Sequence, residues 1–187
     1  MEKLPQQYET DCLRIVLFGP ESTGKSTLAA QLAKHFQTTW VPEYMRTYLE
    51  HKWKTSKTAI SKKDLLPIVK GQIITENEAT LTAQRYLFCD TNILQLKVYC
   101  EYYYPKGYPA FVDEMATKGC YDYYFLTDID VPWEADILRD RPYDRTTLFR
   151  MFEATLVNNN LPYTLLSGNE ETRFEKALKI LNELEKN

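Results

Sequence analysis

The sequence predicts an α/β domain of 187 residues, built on a five-stranded parallel sheet with helices on both faces. Short apolar runs of strand length alternate with segments whose apolar residues recur at helical spacing. Because right-handed crossovers join successive parallel strands, this alternation favours helices on both sides of the sheet. No repeat, low-complexity stretch or linker divides the chain, so we expect a single domain over 1–187.

Strands and helices are predicted in alternation along the chain. The predicted strands are 13–18, 38–41, 86–89, 123–126 and 163–166. The predicted helices are 25–36, 65–84, 93–103, 146–158 and a last helix that begins after Asn169. Asp64 and Asn169 are the expected N-caps of the second and the last helix. Ligands of open parallel sheets bind beyond the carboxyl ends of the strands, where the sequence places Gly19, Glu43, Asp90, Asp128 and Ser167.

The composition is typical of a globular protein, with 44% hydrophobic and 26% charged residues. A formal net charge of −3 gives no general attraction to nucleic acid or to anionic membrane, so we expect neither as a partner. No apolar run approaches the roughly 20 residues of a membrane span, and the polar N-terminus lacks a signal stretch. We therefore expect a cytoplasmic protein; the sequence leaves its oligomeric state open.

The segment 19–26, GPESTGKS, matches the phosphate-binding pattern G-x-x-x-x-G-K-[ST] at every fixed position. It follows an apolar strand directly and opens an amphipathic helix, which is the context that this P-loop motif requires. Lys25 is expected to reach the β- and γ-phosphates of ATP, and the Ser26 hydroxyl is expected to hold Mg²⁺. The predicted ATP-binding residues are Gly19, Glu21, Ser22, Thr23, Gly24, Lys25, Ser26 and Thr27.

Two carboxylates at strand ends are candidates for the chemistry. Asp90 ends the third strand and is a candidate Mg²⁺ residue; capping of the next helix is the alternative, and the two roles are compatible. Glu43 follows the second strand and is the candidate to receive a proton from an acceptor hydroxyl. Arg46 would reach the same site if the segment is helical. The alternative for Glu43 and Arg46 is a surface ion pair.

The segment 127–133, TDIDVPW, places two acidic residues and an aromatic residue after the fourth strand. Asp128 and Asp130 are candidate substrate-binding residues because they lie near the expected γ-phosphate. Trp133 is a candidate to stack on a flat heteroaromatic ring, and a cationic pyridinium would gain cation–π attraction. Packing of Trp133 beneath a loop is the alternative.

A lid is predicted over about 133–146, on the ligand side of the sheet. Arg139 and Arg141 in this segment would close over the phosphates, neutralise transition-state charge and exclude water. An exposed arginine-rich helix would explain the same charges.

Several of these segments together resemble the ribosylnicotinamide kinase domain of bacterial NadR-type proteins. They are 19–27 (GPESTGKST), 41–46 (VPEYMR), 88–91 (FCDT), 127–133 (TDIDVPW) and 138–142 (LRDRP). The resemblance covers nearly the whole chain, in order. It implies an NMP-kinase-like fold with strand order 2-3-1-4-5, and ATP-dependent phosphorylation of nicotinamide riboside to nicotinamide mononucleotide in NAD salvage. It also supports Trp133 as a nicotinamide-stacking residue, and it supports site roles for Glu43, Arg46, Asp90 and the lid arginines.

The chain departs from the family at Met45, where a small residue is expected, and Met45 would reshape the acceptor pocket. Full-length relatives also carry a DNA-binding helix-turn-helix and a nucleotidyltransferase domain. We expect neither activity here, because the chain lacks room for these domains and has no H-x-G-H motif. Two alternatives stay open: a kinase for another nucleoside or small hydroxyl compound, and a P-loop regulatory switch. The chain lacks the N-K-x-D motif of guanine-binding switches.

Overall fold

The computed structural model describes residues 4–136 and 143–184. Its centre is a five-stranded sheet in the order β2-β3-β1-β4-β5, and every neighbouring pair of strands is parallel. The strands are β1 Leu13–Phe18, β2 Trp40–Val41, β3 Tyr86–Asp90, β4 Tyr123–Thr127 and β5 Tyr163–Leu166. The predicted α/β class and strand order are confirmed.

Helices cover both faces of this sheet. They are α1 Lys25–His35, α2 Tyr44–Ser56, α3 Leu65–Thr80, α4 Ile93–Tyr103, α5 Phe111–Lys118, α6 Arg145–Asn158 and α7 Glu170–Leu184. The sequence did not predict α2 or α5. No residue of α2 is fully buried, and α5 has only 8 residues, which are too few for a clear helical period. Across the described ranges, no helix has the length and apolar character to cross a membrane.

Successive residues of the central strands point to opposite faces of the sheet and build two separate cores. On one face, Ile15 and Leu17 of β1 pack with the α1 and α7 residues Leu28, Leu32, Ala177 and Leu181. On the other face, Val16 and Phe18 of β1 pack with the α4 and α6 residues Val98, Leu148, Phe152 and Leu156. Because β1 is buried on both faces, its carboxyl end is a rigid base for the segment that follows it.

The predicted C-terminal end of the second helix, α3, is wrong, whereas Asp64 takes the predicted N-cap position without a capping bond from its side chain. The helix ends at Thr80 rather than at residue 84, because Leu81 and Thr82 bond back to the Glu78 and Ala79 carbonyls in a tight closing turn. Asp64 precedes the helix but does not cap it with its side chain. The carboxylate instead accepts from Ser61 in a capping box that closes the 3₁₀ turn Lys62–Asp64.

The buried carboxylate of Asp64 holds the connection between α2 and α3. It accepts hydrogen bonds from Lys52 Nζ (2.6 Å), Tyr48 Oη (2.9 Å) and the Ser61 backbone N–H (2.7 Å). Burial alone would raise the pKa of Asp64, but these donors outweigh it and lower the pKa to about 2. The same connection carries Ile60, which lines the cavity described below. Asp64 therefore fixes one wall of that cavity.

We expect Asp64→Asn to lower the free energy of unfolding at pH 7 by on the order of 2 kcal/mol. Because the pKa is depressed in the folded state, the stabilisation is present above the ordinary pKa of 3.8 and is lost as the pH falls toward 2. Urea unfolding of both proteins between pH 3 and pH 7 measures the difference. Glu114→Gln, which removes an exposed pair with Lys118, is the control and should have little effect. A difference that does not narrow below pH 4 would contradict the role of Asp64.

Candidate active site

The predicted P-loop follows β1 and opens α1, as the motif requires. Gly19 and Gly24 have positive φ angles of 134° and 79°, which disfavour residues with a Cβ. A Cβ at Gly19 would also lie 2.9 Å from Thr127 Oγ1, so the loop backbone lies directly against the end of β4. Thr23 Oγ1 ties the loop together through contacts with the Pro20 carbonyl (2.8 Å) and Thr127 Oγ1 (2.7 Å).

The predicted phosphate and metal residues converge at the end of β1 and β3. Lys25 Nζ donates to the Pro20 carbonyl at 2.5 Å, inside the curve of the loop. Ser26 Oγ donates to Asp90 Oδ2 at 2.5 Å. The second oxygen, Asp90 Oδ1, is buried and has no hydrogen-bond partner among the residues described. An unpaired carboxylate oxygen beside a serine hydroxyl is a donor set that suits Mg²⁺.

The capping alternative for Asp90 is wrong, because another residue takes that place. Asn92 is the N-cap of α4, and its Oδ1 accepts from the Gln95 backbone N–H at 3.1 Å. Burial raises the pKa of Asp90, whereas Lys25 and the Ser26 hydroxyl lower it. Within 4–136 and 143–184, no group of three or more His, Cys, Asp or Glu side chains is arranged to hold a metal ion. A cation at Ser26 and Asp90 would complete its shell with phosphate and water oxygens.

Glu43 lies between β2 and α2, at the N-cap position of the helix. Burial raises the pKa of its carboxyl to about 7; the negative charge of Asp90 adds to the rise, and Lys25 and Arg46 oppose it. Glu43 also lines the same cavity as the P-loop residues. A carboxyl group with a pKa near neutrality, facing the phosphate site, is chemically suited to accept a proton.

Arg46 is on the first turn of α2, so the predicted helical placement is right. Its predicted surface partner is wrong, however. The guanidinium pairs with Asp136 (2.5 Å) and Glu50 (3.0 Å), not with Glu43. Asp136 belongs to the segment predicted as a lid, so Arg46 joins α2 to the start of that segment.

The cavity holds about 540 Å³ and extends from the P-loop into the space between α2, α3 and α4. Near the phosphate site it is lined by Glu21, Lys25, Ser26, Glu43 and Arg46. The rest of the lining includes apolar and aromatic residues, namely Met45, Leu49, Ile60, Leu65, Leu96, Tyr99, Cys100, Tyr103 and Tyr104. The cavity therefore joins a phosphate site to a compartment that suits a flat organic ring.

The tyrosines of α4 have no role predicted from the sequence. Tyr99 and Tyr103 are four residues apart on one face of the helix, and their rings stack with centroids 6.2 Å apart. Both line the cavity, as does Tyr104. Their spacing was the available signal, but packing of tyrosines against a core gives the same spacing. Met45 lines the cavity as predicted.

Asp128 and Asp130 are placed beside the loop that joins β5 to α7. Asp128 Oδ2 accepts from Ser167 Oγ at 2.7 Å, and Asp130 Oδ2 accepts from the Gly168 backbone N–H at 2.5 Å. Asp130 also pairs with Arg173, and neither aspartate lines the cavity. Their predicted contact with substrate stays a prediction.

Arg173 of α7, which is only 4% exposed, was not predicted as a site residue. Its guanidinium donates to the carbonyls of Thr23 (2.6 Å), Gly168 (2.8 Å) and Asp128 (3.1 Å). It thus ties the P-loop to the β4 end and to the β5–α7 loop. The signal was present, since Arg173 shares a helix face with the buried Ala177 and Leu181.

Trp133 lies outside the set of residues that line the cavity. Its ring faces the Arg145 guanidinium, 5.7 Å from the ring centroid. Arg145 in turn donates to the carbonyls of Val131 (2.9 Å) and Ser22 (3.1 Å), which ties the segment to the P-loop. Stacking of Trp133 on an acceptor stays a prediction. Arg139 and Arg141 lie outside the described residues.

Comparison with known proteins identifies the same domain. A family model described as "AAA domain" matches residues 14–173. The trifunctional NAD biosynthesis/regulator proteins NadR of Escherichia coli (strain K12) and Salmonella typhimurium are each 27% identical over 187 residues. Each match covers 98% of this chain and 45% of the relative, so the chain spans less than half the length of these relatives. The resemblance to NadR-type proteins is confirmed.

Solved structures with the same fold include NadR in complex with NR (TM-score 0.75, 18% identity, 92% of this chain and 50% of that chain). NadR in complex with NAD and AMP-PNP is similar at a TM-score of 0.71 and 19% identity, and the match covers 92% of this chain and 49% of that chain. Deoxyadenosine kinase from M. mycoides is similar at a TM-score of 0.68 and 17% identity, and the match covers 91% of this chain and 100% of that chain. The fold is thus that of ATP-dependent P-loop kinases, as the sequence predicted. Because the family model covers most of the sequence, the chain belongs to the AAA domain family.

Proposed function

We propose that this protein transfers the γ-phosphoryl group of ATP to nicotinamide riboside and forms nicotinamide mononucleotide, as a cytoplasmic step of NAD salvage. The observation that carries the proposal is that P-loop residues, aromatic residues and Glu43 all line one continuous cavity. A regulatory switch would need only the nucleotide half of this cavity. Similarity to NadR in sequence and fold supports nicotinamide riboside as the acceptor.

The phosphate half of the site has the groups that phosphoryl transfer needs. The P-loop N–H groups and Lys25 would hold the β- and γ-phosphates, and Ser26 with Asp90 would hold Mg²⁺. When bound, Mg²⁺ neutralises charge on the phosphate oxygens. Arg139 and Arg141 are proposed to close over the transferred group. The remaining loop residues would contact ATP through the backbone, with Arg173 keeping the loop in shape.

Glu43 is the proposed acceptor of the proton from the attacking hydroxyl. Asp90 is already bonded to Ser26 and is suited to the metal, whereas Glu43 lines the cavity that joins the P-loop to the aromatic compartment. Phosphoryl transfer depends on position and charge more than on basicity, so a carboxylate that ionises near neutrality is sufficient.

The acceptor compartment combines aromatic rings with negative charge. Tyr99, Tyr103 and Tyr104 line this compartment, and Glu21 and Glu43 line the same cavity. A pyridinium ring carries a positive charge and gains from both features. Trp133 would add a further face only if the segment that carries it releases Arg145 and approaches the cavity.

A second candidate function is phosphorylation of a deoxynucleoside. The observation in its favour is that this chain covers 100% of the M. mycoides deoxyadenosine kinase at a TM-score of 0.68. A neutral nucleobase would fit the apolar walls but would gain nothing from the two carboxylates that line the cavity.

We expect the purified protein to form nicotinamide mononucleotide from nicotinamide riboside, ATP and Mg²⁺. Its kcat/KM for this acceptor should exceed that for deoxyadenosine by at least about 100-fold. Product formation measured by chromatography tests the expectation, with Lys25→Ala as an inactive control. Turnover of deoxyadenosine without turnover of nicotinamide riboside would favour the second candidate. ATP hydrolysis that does not respond to any acceptor would favour a switch.

The activity should depend on ionisation of Glu43. Because the carboxylate is the active form, kcat/KM is expected to be low in acid and to rise with pH through about 7. Glu43→Gln should lower kcat by at least about 100-fold and remove this rise, while ATP binding is retained. Glu78→Gln, an exposed position on α3, is the control. An unchanged pH profile in Glu43→Gln would show that another group, or ATP itself, titrates.

Trp133→Ala should raise the KM for nicotinamide riboside by about 5- to 30-fold, because it removes the proposed cation–π contact with the pyridinium ring. The KM for ATP should stay nearly unchanged. Steady-state kinetics with each substrate varied in turn makes the measurement. Trp53→Ala removes a partly exposed tryptophan of α2 and serves as the matched control. Equal changes in both KM values would instead indicate that Trp133 serves the fold of the segment through Arg145.

A further inference from the structure

The start of α2 is held from outside by α3. The first N–H groups of a helix lack partners within the helix, and the Glu43 side chain does not cap them. Gln72 of α3 supplies a partner, because its Oε1 accepts from the Tyr44 backbone N–H at 3.2 Å. Gln72 is only 5% exposed, so this bond is shielded from water. The residue next to Glu43 is therefore tied to a neighbouring helix.

A packing contact reinforces this hydrogen bond. The Tyr44 ring lies against Gly71, where an added Cβ would come within 2.0 Å of ring atoms Cε1 and Cζ. Glycine inside a helix is less stable than alanine. At this position the absence of a side chain creates the space that the ring fills. The bond and the ring contact come from adjacent residues of α3 and hold the same residue of α2.

The orientation of the Gln72 amide is set by Glu76, one turn farther along α3. Gln72 Nε2 donates to Glu76 Oε1 at 2.9 Å, which directs Oε1 of the amide toward Tyr44. Glu76 is 0% exposed and also accepts from Gln7 Nε2 (2.7 Å) and Tyr121 Oη (2.9 Å). A carboxylate only accepts hydrogen bonds, so the amide cannot turn around without losing both contacts.

We propose that Gly71, Gln72 and Glu76 are positioning residues that fix the reacting geometry of Glu43. None of them lines the cavity, so they act through Tyr44 rather than by contact with substrate. The inference rests on the proposed role of Glu43 as proton acceptor. Misplacement of a reacting group by about 1 Å can lower the rate by about 100-fold, so a small shift of the α2 start is sufficient for a large effect.

The test compares Gln72→Met with Asn77→Leu. Asn77 is a matched control because it is also a buried amide of α3, 6% exposed, with two hydrogen bonds. Its partners are Gln6 and Tyr8 of the N-terminal segment, not α2. Hydrogen exchange at the start of α2 measures the placement directly, and the kinetics of the kinase reaction measure the catalytic consequence.

Gln72→Met should speed exchange of the Tyr44 amide by at least about tenfold and lower kcat by about 10- to 100-fold. The KM for ATP should stay within about twofold of that of the unsubstituted protein. The pH at which the activity rises should differ from that of the unsubstituted protein. Asn77→Leu should leave kcat, the pH profile and exchange at Tyr44 unchanged. Gly71→Ala adds a Cβ in the space of the Tyr44 ring and should therefore reproduce the effect of Gln72→Met.

Equal exchange at Tyr44 in Gln72→Met and Asn77→Leu would overturn the proposal, as would an equal loss of kcat in both. Glu43→Gln, measured in parallel, separates this failure from failure of the proposed function. If Glu43→Gln keeps full turnover, the proton-acceptor role is wrong, and with it the catalytic part of the inference. Faster exchange in Gln72→Met would then still establish that α3 places the start of α2.

Discussion

The anchoring of the P-loop to the ends of the neighbouring elements is the constraint on which the site depends. Gly19 lies against Thr127 of β4, and Thr23 bonds to the same threonine. Arg173 of α7 reaches the loop through the Thr23 carbonyl, and Arg145 reaches it through the Ser22 carbonyl. A loop of backbone N–H groups binds phosphate only if these groups converge before the ligand arrives. The contacts provide that convergence from two sides of the sheet.

Side chains of both signs surround the P-loop and influence one another's ionisation. Burial and, to a smaller extent, the negative charge of Asp90 raise the pKa of Glu43 to about 7, and Lys25 and Arg46 offset only part of this rise. A divalent cation beside Asp90 would relieve the repulsion and favour the ionised form of both groups. The proposed chemistry is therefore linked to metal binding by electrostatics, without a change of fold.

The acceptor half of the cavity is built from different elements than the phosphate half. The P-loop rests on the buried β1, whereas the acceptor walls come from α2, α3, α4 and the connection held by Asp64. Within this second group, α3 and α4 are held by apolar burial, whereas α2 has no fully buried residue and is tied to α3 by polar contacts. Such a division allows the acceptor pocket to change among P-loop kinases while the phosphate machinery stays the same.

The limits of sequence reasoning follow the same division. Strands, P-loop and strand-end carboxylates were predictable because each has a local signal, namely an apolar run, a glycine pattern or a position after a strand. The helix α2 was missed, although Met45, Leu49 and Trp53 recur at helical spacing in its sequence. The short α5 was missed as well, since 8 residues give too few turns for a clear period.

The sequence by itself determined the α/β class, the phosphate-binding loop and the presence of Glu43 and Asp90 beside it. Only the tertiary structure decided the partner of each polar side chain. Arg46 pairs with a residue 90 positions away, and Arg173 bonds to a carbonyl 150 positions away. The Asp64 carboxylate accepts from the Ser61 backbone N–H instead of capping α3, and Gln72 Oε1 accepts from the Tyr44 backbone N–H. The packing of the tertiary structure decides which polar groups these side chains meet away from water.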